Sequence, residues 1–236
     1  MPEPLVFLPG MMCDARLFGP QIAELSATHA VTVAPVTQGE RIEEIASALL
    51  DQLPARFALA GLSMGGIVAM EVLRRAPDRL TRLMLMDTNP LPEQPQVAAA
   101  REPQIVRVKA GRLREVMRDE MKPNYLAPGP NRAVVMEIVM DMAEALGPDI
   151  FVRQSRALQR RRDQQGTLRR ARVPTMVMCG AHDALCPPKR HEFMAELTPG
   201  ADLRVIEEAG HLPTLEAPEA TMAAIRDWLA MPLLLR

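Results

Sequence analysis

The stretch from Phe57 to Met70 constrains the fold more than any other part of the chain. Phe57-Ala58-Leu59-Ala60 is an apolar run with the length of a buried strand. Ile67, Met70 and Leu73 take up helical spacing only a few residues later. Gly61-Leu62-Ser63-Met64-Gly65 must therefore convert strand into helix almost at once. In that setting a Gly-x-Ser-x-Gly turn is strained and holds the serine hydroxyl exposed at the top of a sheet. The glycines flank the point where side chains would collide. The helix that follows aims free N–H groups and its positive end at the same spot, which suits a developing oxyanion.

Chance alone makes this pattern uncommon. With thirteen glycines in 236 residues and serine only at positions 26, 47, 63 and 155, a random match is expected roughly once in eighty such chains. Its place between a strand pattern and a helix pattern favours a nucleophile over a plain glycine-rich turn.

The rest of the chain supplies the architecture. Leu5–Leu8 reads as a strand ended by Pro9-Gly10. Asp14 can cap a helix whose Leu17, Phe18, Ile22 and Leu25 share a face. Ala30–Ala34 and Leu80–Met86 are further strands, and Ile42–Leu53 a helix. From Pro92 to Arg172 the pattern is helical and charged, with breaks at Pro103, Pro123, Pro128-Gly129-Pro130, Gly147-Pro148 and Gly166. Strand–helix alternation resumes with Thr175–Cys179, Pro188–Leu197, Asp202–Ile206 and Pro218–Leu229. Such alternation implies a parallel sheet with helices on both faces. The helical interval interrupts it as an inserted cap. Residues 1–90 and 171–236 are expected to form the core, and 91–170 the cap.

Composition removes several functions. A formal net charge of −1 gives no electrostatic case for nucleic acid or acidic lipid. Cys13, Cys179 and Cys186 lack paired metal spacing, so neither a disulfide framework nor a metal site is expected. No apolar run approaches membrane-spanning length and the N-terminus lacks a signal-peptide pattern, so the default setting is cytoplasmic.

A serine needs a base, and the chain has four histidines. His29 flanks a strand without polar company, and His191 lies mid-helix, where a surface position is expected. His182 precedes Asp183. His211 follows the strand Leu203–Ile206 and so reaches the carboxyl rim where open α/β sheets bind ligands. For the acid, Asp183 and Asp87 both end strands, and both satisfy the chain order serine, acid, histidine. Asp183 is favoured. Met64, the residue after the serine, offers one oxyanion N–H, and Met11 the other, with Met12 as fallback.

Together these pieces resemble the α/β-hydrolase fold, most closely its small esterase, lactonase and C–C hydrolase branch. The matching stretches are Leu8-Pro9-Gly10-Met11, Gly61–Gly66, Gly180-Ala181-His182-Asp183 with Pro187, and Gly210-His211-Leu212-Pro213-Thr214-Leu215-Glu216-Ala217-Pro218-Glu219. The resemblance implies Ser63 as nucleophile, His211 as base and Asp183 as acid. The frequent His-Gly before the oxyanion loop is Pro9-Gly10 here. The sequence starts at what resembles the family's third strand, so a mostly parallel sheet of about six strands is expected.

The expected chemistry is acyl transfer to water on a carboxylic ester-type bond of a small-molecule substrate, without metal or organic cofactor. Met12, Met121, Tyr125, Met136, Met140 and Leu185 are the candidates for the substrate wall, making it apolar and adaptable. Arg153, Arg156, Arg160, Arg161 and Arg162 could greet a carboxylate, although a solvated helix face is the simpler account. Lactone or C–C bond hydrolysis by the same triad, cofactor-free perhydrolysis or haloperoxidation, and non-catalytic ligand reception on the same scaffold are the rivals.

Overall fold

A computed structural model describes residues 2–121 and 125–233, except for the side chains of Glu120 and Met121. Six strands form one sheet in the order β2-β1-β3-β4-β5-β6, every neighbouring pair parallel. They are β1 (Leu5–Leu8), β2 (Val31–Val33), β3 (Phe57–Leu62), β4 (Leu80–Met86), β5 (Thr175–Gly180) and β6 (Asp202–Ile206). The chain runs outward from β1 to β2, then returns to pair β3 on the other side of β1. Strand order thus reverses between β1 and β3, the place where open sheets of this kind leave a crevice at their carboxyl ends.

The central strands are buried on both faces, which is why they read as unbroken apolar runs. Side-chain alternation splits the core in two. Val6, Leu8, Leu59, Leu83, Leu85 and Val177 join one cluster, while Leu5, Phe7, Ala60, Met84, Met86 and Met178 join the other. Helices α2 (Ile42–Leu50) and α3 (Met64–Arg75) cover the first face. Helices α1 (Gly19–Leu25) and, near the C-terminus, a long helix at Pro218–Ala230 cover the second, where Trp228 is fully buried. Removing a side chain of that size from water contributes about 3 kcal/mol.

Between β4 and β5 the described residues hold no strand. Among the described residues five α-helices follow one another there, α4 (Pro95–Lys109), α5 (Leu113–Val116), α6 (Arg132–Leu146), α7 (Pro148–Gln159) and α8 (Gln165–Leu168), with a π-helical turn (Met117–Met121) continuing α5. The break expected at Gly147-Pro148 occurs, with Gly147 at φ +81° closing α6 and Pro148 opening α7. The one expected at Pro103 does not, because α4 runs straight through it. Pro103 removes a single helix hydrogen bond. Packing against α7 offsets that loss, with Gln159 donating to Ala98 O at 2.8 Å. Pro123 lies outside the described residues. The helix expected after Asp14 is a 3₁₀ turn (Ala15–Phe18) joined to α1, because Pro20 has no N–H with which to continue one helix. Helices α9 (Pro188–Leu197), α10 (Pro213–Glu216) and α11 (Pro218–Ala230) complete the chain.

Candidate active site

β3 ends at Leu62 and α3 begins at Met64, so Ser63 alone makes the turn. Its φ of +55° and ψ of −116° lie where non-glycine residues seldom sit. Besides the first helical bonds from Gly66 and Ile67 N–H to Ser63 O, two bonds from the neighbouring strand end hold it there. Ser63 N–H donates to Met86 O at 2.8 Å, and Thr88 Oγ1 donates to Ser63 O at 2.7 Å. Space does the rest, since a Cβ on Gly65 would overlap the Leu8 carbonyl. The loop after β1 and the start of α3 are therefore in direct backbone contact.

Ser63 Oγ lies 2.9 Å from His211 Nε2, and His211 Nδ1 lies 2.8 Å from Asp183 Oδ2. With the ring proton on Nδ1, the imidazole donates to Asp183 and accepts from the serine hydroxyl. Asp183 Oδ1 also accepts Leu185 N–H at 2.8 Å and Cys186 N–H at 2.9 Å. Burial works to raise the Asp183 pKa, but the charge and hydrogen bond of His211, helped by the Cys186 N–H and Asp87, outweigh it and leave it lowered. Asp183 is thus a buried carboxylate beside the ring.

Asp87 does not take that place; it stands behind Asp183. Its Oδ1 accepts Gly180 N–H at 2.9 Å. Burial first, then the charge of Asp183, push its pKa well above the carboxylate range. Burial and the neighbouring Asp183 charge thus favour the protonated form of Asp87. Its Oδ2 has no donor facing it among the described residues, as fits an oxygen that carries the proton.

The histidine loop is held by groups that chemistry-seeking sequence reading passed over. Glu216 sits in the stretch Gly210–Glu219, yet no role falls to it from spacing alone. Its carboxylate accepts the N–H groups of Ala127, Gly210 and Leu212 at 2.7, 3.0 and 2.8 Å. His211 N–H donates to Tyr125 O at 2.6 Å, and the Tyr125 ring meets the imidazole edge-on at 5.1 Å. On the other side, Gln154 of α7 accepts Met12 N–H at 2.8 Å and donates to Val36 O at 3.1 Å. Met12 N–H is thereby engaged. Met11 and Met64 line the cavity with Ser63, and neither N–H has an acceptor among the described residues.

The remaining histidines lie elsewhere. His182 is exposed, and His29 Nδ1 stands 2.9 Å from Thr28 Oγ1. His191, expected at the surface, is fully buried and accepts Thr88 N–H at 3.0 Å. Its α9 face packs inward against the end of β4, and burial lowers its pKa to about 4, so it is neutral. Asp183, Cys186 and His211 bring metal-ligand-type atoms within 4.8 Å of one another. Burial raises the Cys186 pKa well above its usual value, which keeps it a thiol rather than the thiolate that metals prefer.

Ser63 and His211 open into a cavity of about 430 Å³. Of the expected wall residues, Tyr125 and Leu185 line it. Met12, Met136 and Met140 do not; they pack into the core, Met12 from the turn after β1 and Met136 and Met140 from the face of α6 turned toward the sheet and neighbouring helices. The Met121 side chain lies outside the described residues. Charged groups take their place. Glu93, Arg101, Arg161 and Arg190 all line the cavity. Arg161, expected on a solvated face, is a wall residue.

A serine, an imidazole and a carboxylate linked at the carboxyl rim of a parallel sheet are the equipment of a hydrolytic enzyme. The family comparison places it further: the chain belongs to the alpha/beta hydrolase family, whose model matches residues 5–224. It is similar to a pimeloyl-[acyl-carrier protein] methyl ester esterase of Aromatoleum aromaticum, 29% identical over 207 residues and covering 80% of each chain. The enzyme of the same name from Neisseria meningitidis serogroup C is 25% identical over 233 residues, covering 93% of this chain and 91% of its own. Among solved structures, a thermophilic esterase from Thermogutta terrifontis, determined with malate bound, superposes with a TM-score of 0.87. It is 29% identical, with 96% of this chain and 89% of that one covered. Among the described residues no helix is long and apolar enough to cross a membrane.

Proposed function

We propose that this hydrolase cleaves carboxylic esters through an acyl-enzyme on Ser63. The observation that supports it most is the unbroken relay from Ser63 Oγ through the imidazole to Asp183, with contacts of 2.9 and 2.8 Å. His211 Nε2 takes the hydroxyl proton as Oγ attacks the ester carbonyl. The Asp183 carboxylate holds the ring in the required tautomer and stabilises the imidazolium that forms. Charge develops on the carbonyl oxygen, where the N–H groups of Met11 and Met64 receive it. His211 then protonates the departing alkoxide. Water enters, gives its proton to His211 and attacks the acyl carbon, and the collapsing intermediate releases the acid and restores Ser63.

Residues 91–170 act as the cap, since Pro92, Arg101, Tyr125 and Arg161 of that interval all line the cavity. The relatives' names make the methyl ester of an acyl chain the first substrate to assay. Ser63→Ala is expected to lower turnover of an activated ester by about 10⁴-fold or more and to abolish labelling by a fluorophosphonate. Wild-type turnover in Ser63→Ala would dispose of the reading.

A further inference from the structure

The cavity beside Ser63 carries an imbalance of charge that ester cleavage does not require. Arg101 Nε donates to Glu93 Oε2 at 2.6 Å, and Arg161 Nη1 pairs with Glu93 Oε1 at 2.9 Å. One carboxylate, only 3% exposed, thus serves two guanidiniums that are 14% and 10% exposed. Arg161 Nε is used on Leu91 O at 3.0 Å, and among the described residues Arg101 Nη1 has only the Met11 sulfur at 3.8 Å. Neither Nη2 has an acceptor among the described residues. Arg190, half-buried on α9, adds a third guanidinium to the same wall and has no ion-pair partner among the described residues. Glu93 is the one carboxylate among the residues lining the cavity. Three cations against one anion leave this wall formally at +2.

Burying such a surplus is costly unless something anionic shares the space. Two guanidiniums held by one Glu93 at its two oxygens are also pre-oriented, with planar forks fixed before any ligand arrives. Burial lowers the Arg161 pKa, the Glu93 charge opposes that, and the neighbouring Arg101 adds to the lowering.

We infer that Arg101, Arg161 and Arg190 form a carboxylate-binding subsite, so that the preferred substrate is an ester bearing a carboxylate at its far end. The inference rests on the assignment of Ser63 as nucleophile. It places monoesters of dicarboxylic acids ahead of neutral esters of the same length. A purely structural duty for these arginines, tying α4 to the segment after α7, gives no such ranking.

Monomethyl and dimethyl esters of the dicarboxylic acids from succinate to suberate separate the two. For the best chain length, kcat/KM per ester group is expected to favour the monomethyl ester by roughly tenfold or more, as a charge-assisted hydrogen bond gives. Arg190→Gln, which breaks no ion pair among the described residues, and Arg161→Lys are each expected to cut that ratio by roughly fivefold or more. Calorimetric titration with the free dicarboxylate gives a readout independent of chemistry, and binding should weaken about tenfold in Arg190→Gln. A ratio at or below one, with hydrolysis still dependent on Ser63, overturns the subsite and leaves the esterase standing. If no ester is cleaved and Ser63 resists labelling, the esterase reading fails, and the titration alone decides the subsite. Absence of dicarboxylate binding then overturns it.

Discussion

Gln154 accepts the main-chain N–H of Met12 at 2.8 Å across 142 residues of sequence, and its amide donates to Val36 O at 3.1 Å. One buried side chain of the helical insertion therefore fixes the loop that brings Met11 to Ser63. Gln154→Leu leaves both backbone groups buried without partners, at a cost of about 1–3 kcal/mol each. The expected result is a lower denaturation midpoint together with a fall in kcat larger than the rise in KM. A variant with lowered stability and unchanged kcat would show that this contact supports the fold and not turnover through the loop after β1.

Glu216 gathers three N–H groups around the histidine loop. Glu216→Ala removes all three acceptor bonds while leaving every reacting group in place. A drop in kcat of roughly 10- to 100-fold is expected, with Glu216→Gln recovering part of it through its remaining carbonyl oxygen. Because the carboxylate positions His211 without touching substrate, KM should move little. Equal losses in both variants, or a loss confined to KM, would contradict this role.

The raised pKa of Asp87 makes a prediction about pH. Below the usual carboxylate range both folded and unfolded chains carry its proton. As pH rises through that range the unfolded chain releases the proton and the folded chain retains it, so stability falls by about 1.4 kcal/mol per pH unit until the raised pKa is reached. Asp87→Asn keeps an N–H donor toward Asp183 and an acceptor for Gly180, tolerates the φ of +45°, and has no such slope. Denaturant midpoints measured across the acid-to-neutral range should diverge in favour of the variant. Parallel curves would mean that Asp87 is ionised in the fold.

Glu71 on α3 has the opposite sign. Its side chain is buried, and burial alone would raise its pKa. Hydrogen bonds from Arg74, Arg75 and Gln164 outweigh that and bring it down to about 2. Its contribution is thus fully present above the ordinary value of 4.5 and is lost as pH falls through about 2. Glu71→Gln should be less stable than wild type by roughly 2 kcal/mol at neutral pH, and the gap should close in acid. A gap that is constant with pH would rule out the ionised form as the source.

Sequence carried the architecture well, because a sheet buried on both faces writes itself as apolar runs and the reversal at β1 and β3 follows from where those runs fall. Positions fixed by backbone geometry were legible too: the Gly61–Gly65 turn, and the strand ends bearing Asp183 and His211. What remained hidden depends on side-chain direction. Asp87 and Asp183 satisfy the same order rule, and only packing sets one against the imidazole and the other behind it. Met136 and Met140 share helical spacing with any cavity-facing residue, yet turn into the core. Arg161 reads as one of a solvated arginine run until the chain after α7 folds it onto Glu93. Gln154, a lone amide in a charged helix, announces nothing in sequence.

The 2.6 Å bond from His211 N–H to Tyr125 O joins a side wall of the substrate chamber to the imidazole's own backbone. Reshaping the chamber there is mechanically coupled to the histidine: pushing Tyr125 outward drags the His211 backbone with it. The arginine-bearing wall is carried by α4, the segment after α7 and α9, and among the described residues none of its three guanidiniums bonds to Ser63 or His211. Directed evolution toward new acyl groups should therefore accumulate changes on α4 and α9 while the tyrosine corner stays fixed.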